Sequence, residues 1–170
     1  MKHLIISILV FSSFGLFSQK YTKDEKVYKS ITGLSIVQSN SYDDGQLISS
    51  RMIWIDKNQK YQHITDYMTI YSGSASGMWK HMNDLLESTE KFDDGVKLEL
   101  NGKNVSIDKV MGVKGASCYD DNYVQWHIYY PSQLKKLMKK YKKWCIKNNV
   151  VYEDEESLLI DGMMDRMEEE

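Results

Sequence analysis

The spacing of apolar positions changes period several times along the chain, and each change marks an element. Residues 47–55 (LISSRMIWI) and 60–71 are rich in β-branched and aromatic side chains, with a polar tetrapeptide, Asp56-Lys57-Asn58-Gln59, between them. They predict an antiparallel hairpin. After the small-residue stretch 73–77 the period lengthens: Met78, Trp79, Met82, Leu85 and Leu86 recur at spacings of three and four. That is one face of a helix, started by Ser74 or Ser76 and running to about residue 91. Short strands follow at 96–100, 103–107, 116–119 and 123–130. Pro131 suits the first turn of a second helix, whose stripe of Leu134, Leu137, Met138, Tyr141, Trp144 and Cys145 stops at Asn148-Asn149.

Turn chemistry agrees with this division. Asn101-Gly102 separates VKLEL from KNVSI and supplies the positive φ angles of a two-residue hairpin turn. Three further turns share one form, an aromatic, two aspartates and a turn former: Tyr42-Asp43-Asp44-Gly45, Phe92-Asp93-Asp94-Gly95 and Tyr119-Asp120-Asp121-Asn122. None has the alternating acid frame of a calcium loop. The order of two or three strands, a helix, four strands and a helix predicts an α+β fold: an antiparallel sheet of about five to seven strands with both amphipathic helices on one face.

The first 18 residues belong to a different pattern. Met1-Lys2-His3 is a short basic start, Leu4 to Phe17 is an apolar run, and Ser18-Gln19 opens onto the polar KYTKDEK. This reads as a secretory signal peptide, cut after Ser18. The run is shorter than the roughly 20 residues that span a bilayer, and no other stretch approaches that length. The division is then a leader over 1–18, one α+β domain over 19–152 and an acidic tail over 153–170. The expected location is the periplasm or the outside of the cell.

The chain has 170 residues, 27% of them charged, with a formal net charge of −2. No global basic field exists, so specific nucleic-acid binding is not expected. Charge is nevertheless segregated. The second helix carries Lys135, Lys136, Lys139, Lys140, Lys142, Lys143 and Lys147, whereas 153–170 has nine acids against Arg166 alone. A basic-helix module for anionic surfaces is one function this allows.

The two cysteines can be placed by geometry. A three-residue loop at 120–122 would set Cys118 opposite Val124, on the inward face with Trp126 and Ile128. The second helix, turning back over that strand, would bring Cys145 above Cys118. In an exported protein this predicts a Cys118–Cys145 disulfide, stabilising by about 3 to 4 kcal/mol in the chain-entropy treatment.

The same alternation gives a candidate binding face. It directs Tyr61, His63, Tyr67 and Tyr71 to one side of their strand, and Tyr123, His127 and Tyr129 to the outer side of theirs. Aromatic rings with polar tips suit a protein, peptide or carbohydrate partner. No G-x-S-x-G, H-E-x-x-H, C-x-x-C or nucleotide-binding glycine pattern occurs, so no cofactor or metal is expected. The expected function is a small exported binding protein without catalysis. The alternative from another class is a small secreted hydrolase using His63 or His127.

Overall fold

The computed structural model describes residues 20–30, 34–57, 67–119 and 126–153. It is α+β, with the order β1(Lys20–Lys29), β2(Ser35–Asp43), β3(Gln46–Lys57), β4(Tyr67–Gly73), α1(Ala75–Lys91), β5(Lys97–Leu100), β6(Lys103–Val110), β7(Val113–Tyr119), β8(Trp126–Tyr129) and α2(Pro131–Lys147). The expected single sheet is instead two. Strands β1-β2-β3-β4 form one antiparallel meander and β5-β6-β7-β8 a second, each followed by a helix. Periodicity misses two strands, β1 and β2; in β1, KYTKDEKVYK has almost no apolar alternation because it is an edge strand, exposed over its first seven residues.

Local chemistry explains the boundaries. Ser74 caps α1, its hydroxyl accepting from the Gly77 N–H at 3.0 Å. Pro131 opens α2, and the Gln133 side chain accepts from the Tyr130 N–H at 3.1 Å. Asn101 and Gly102 have φ of 51° and 73°, and Asp44 and Gly45 of 50° and 78°, the paired positive values of two-residue hairpin turns. The β6–β7 hairpin continues past its expected ends to a turn at Met111-Gly112.

One core joins the two sheets. Helix α1 packs against β3 and β4 of the first and against β5 and β7 of the second, whereas α2 packs against α1 and β1. The Tyr141 hydroxyl on α2 donates to the Ala75 carbonyl at the start of α1, 3.0 Å away. Between the sheets, the fully buried Trp54 of β3 meets Tyr129 of β8 edge to face, with ring centroids 4.9 Å apart.

This arrangement overturns the disulfide. Cys118 and Cys145 are both buried and unbonded. The expectation assumed that α2 lies over β7, but the helix packed on β7 is α1. It also assumed a three-residue β7–β8 loop. The observed register pairs Cys118 with His127 and Tyr119 with Trp126, which is a six-residue connection. That offset of three is odd, so it exchanges the two faces of β8.

Candidate functional site

Alternation along β3 puts Met52, Trp54 and Asp56 on the core side, and all three are at most 1% exposed. Asp56 is thus a carboxylate at a core position. Its partners come from β8, where the reversed faces turn His127 and Tyr129 inward. The Tyr129 hydroxyl donates to Asp56 Oδ2 at 2.9 Å, and His127 Nε2 stands 3.4 Å from the same oxygen. The two β8 rings pack on each other with centroids 4.5 Å apart. Burying a carboxylate is costly unless donors compensate it, and these two side chains supply that compensation across the seam.

The surroundings respond to the charge. Burial, and then the neighbouring Asp56 charge, push the Tyr129 hydroxyl well above its ordinary pKa, so it stays a donor. Burial also pushes the Cys118 thiol up to about 12, with Asp56 adding to the shift. Cys118 is a protonated thiol at neutral pH and not a nucleophile.

The cluster opens into a cleft of about 210 Å³. Tyr28 at the end of β1, Ser30, Leu34, Asp56, His127 and Tyr129 line one part, and Gln133, Lys136 and Leu137 from the first turns of α2 line the rest. Lys140, one turn further along α2, holds its ammonium 4.7 Å from the centre of the Tyr28 ring. The site therefore combines a buried acid, an imidazole, two phenol rings and an exposed lysine. No group of three His, Cys, Asp or Glu among the described residues is placed to hold a metal ion.

The sequence-derived face is only partly reproduced as a surface. Tyr67 is 58% exposed on β4. Tyr71 is directed inward instead, because β4 bulges at Ile70 and sets Tyr71 opposite the buried Trp54. His127 and Tyr129 are also interior, for the register reason given above, and they join the cleft. Tyr61, His63 and Tyr123 lie outside the described residues. Sequence reasoning missed Asp56, Tyr28, Leu34, Gln133 and Lys136. For Asp56 a signal existed: it continues the apolar alternation Met52, Trp54 and so falls on the buried side.

A second buried histidine stands apart from the cleft. His81 of α1 is fully buried between Trp54 and Tyr71, with ring centroids 6.1 and 5.4 Å away. Its Nδ1 accepts from the Asn101 side-chain amide at 3.1 Å, and the same amide donates to Asp84. Burial lowers its pKa to about 4, against a smaller opposing effect of Asp84.

On α2 the lysine face is partly engaged, Lys135 with Glu90 at 3.9 Å and Lys142 with Glu153 at 3.6 Å. No helix among the described residues is long and apolar enough to cross a membrane. No family model matches the chain, and no curated protein or solved structure matches it.

Proposed function

We propose that the chain is a small exported binding protein without catalysis, and that its ligand site is the cleft at the seam of the two sheets. One observation carries this reading: a buried carboxylate already held by Tyr129 and His127 lines an open cleft with aliphatic and aromatic walls. Polar groups that converge beside apolar walls in a concave hollow are a feature of ligand sites. At about 210 Å³ the cleft is smaller than the roughly 300 to 1,000 Å³ of sites for drug-sized molecules. The occupant is then a small polar molecule, or one sugar unit or side chain of a larger partner. The basic start and short apolar run at the N-terminus support the exported location.

The test is native mass spectrometry of the chain purified under mild conditions from envelope extract. Wild type should carry a bound species that both Leu34→Trp, which fills the cleft, and Lys136→Glu, which reverses its rim charge, lose. Equal recovery from all three proteins removes the cleft from consideration.

The Asp56–His127 pair supports a second reading. A carboxylate that fixes an imidazole is the base half of a hydrolase, and Ser30 in the same cleft is the hydroxyl such a reading needs. It requires turnover of a chromogenic ester that both His127→Ala and Ser30→Ala abolish. A wild type with no turnover above buffer ends it.

A further inference from the structure

Strands β1, β2 and β3 run on past the core as an arm, and the two edges of that arm are unlike. β4 covers β3 only from Met52 to Gly73 at one end and Lys57 to Tyr67 at the other. Residues 46–51 therefore have β2 on one side and no strand on the other among the described residues, and all six are exposed. The β1 edge carries Lys20, Lys23 and Lys26, a spacing of charge that discourages strand pairing. Residues 46–51 contain no lysine, and Leu47 and Ile48 are 56% and 64% exposed. Leu47 is in register with Tyr42, and Tyr42 with Tyr21, whose rings stack at 5.0 Å. An apolar row thus crosses the arm and ends at the open edge.

The charges at that edge match themselves when reversed. Asp44 stands in the turn at one end and Arg51 at the other, and neither has an ion-pair partner among the described residues. We propose that the β3 edge pairs with the β3 edge of a second copy of this chain, antiparallel about a two-fold axis through Ile48. Such an axis keeps the faces of both arms on the same side and sets Leu47 of each copy opposite Ser49 of the other, so the two apolar rows lie diagonally adjacent in a continuous six-stranded sheet. It also sets Arg51 of each copy opposite Gly45 of the other, beside Asp44, so that two ion pairs form. A strand from an unrelated protein has no need of an acid and a base at opposite ends of the edge. That order is what favours a second copy.

Sedimentation equilibrium of the purified chain tests this, with thermal unfolding confirming that each variant is folded. Wild type should dimerise with rising concentration. Arg51→Glu alone and Asp44→Arg alone should each weaken the dimer by about tenfold, and the two together should restore it to within about threefold. Ile48→Lys should abolish it. A wild type that stays monomeric at every concentration overturns the proposal and leaves the edge to a strand of another protein. A dimer that is indifferent to both single reversals and to Ile48→Lys overturns it as well.

Discussion

At the scale of single residues, the buried histidine of α1 links stability to pH. The unfolded chain binds a proton at His81 near the ordinary 6.5, whereas the folded chain does so only near 4. The unfolded state therefore holds more protons between these values. His81 gives its full share of stability above pH 6.5, and that share is lost as pH falls toward 4. The loss amounts to about 3 kcal/mol by pH 4. Urea midpoints of wild type and His81→Gln, compared from pH 7 to 4, should converge as the medium becomes acidic; parallel curves would show that His81 does not titrate this way. At Gly77 stability depends on packing and not on pH. A Cβ there would collide with the Tyr71 hydroxyl, so Gly77→Ala should destabilise by about 1 to 2 kcal/mol instead of giving the usual gain of a helical alanine. In a Tyr71→Phe background, which removes that oxygen but leaves Ser74 Oγ at 3.0 Å and the ring carbon at 3.2 Å, the penalty should shrink in the chemical denaturation curve. Tyr129→Phe takes a donor from the buried Asp56 and should cost about 1 to 3 kcal/mol, read in the same way.

At the scale of elements, the Asn101-Gly102 turn does two things at once. It closes the β5–β6 hairpin, and its asparagine reaches His81 and Asp84 on α1. Asn101→Gly keeps the backbone freedom and removes only the side chain. It should lower the melting temperature and leave the hairpin's amide-exchange protection in place. Both helices, their starts at Ser74 and Pro131, and three of the turns were legible in the sequence, because caps and turns depend on residues within a few positions of one another. The split into two sheets was not, since strand partners are chosen by contacts far apart in the chain. Nor were the inward positions of Tyr71, His127 and Tyr129. Tyr71 depends on a bulge that periodicity does not reveal, and the other two on the length of the β7–β8 connection, where a change of one or three residues exchanges the faces. The cleft was illegible for the same reason: β8 supplies His127 and Tyr129, the two partners of Asp56.

At the scale of the whole molecule, the two thiols and the seam matter most. Cys118 and Cys145 are buried and unbonded, so a thiol-specific dye should leave the native protein unlabelled and find both groups after denaturation. Dithiothreitol should not shift the melting temperature; a fall of several degrees would bring the disulfide back. The bond from Tyr129 to Asp56 spans 73 positions. Until β8 has been made and folded in, Asp56 lacks the Tyr129 hydroxyl and the His127 ring and Trp54 lacks its facing ring, so the first sheet has an unfinished side. The first half of the chain should therefore not persist as a stable domain when expressed alone. For a protein made from one end to the other, the last described strand is the one that closes the first sheet, and any pause in synthesis before it leaves a species open to proteases.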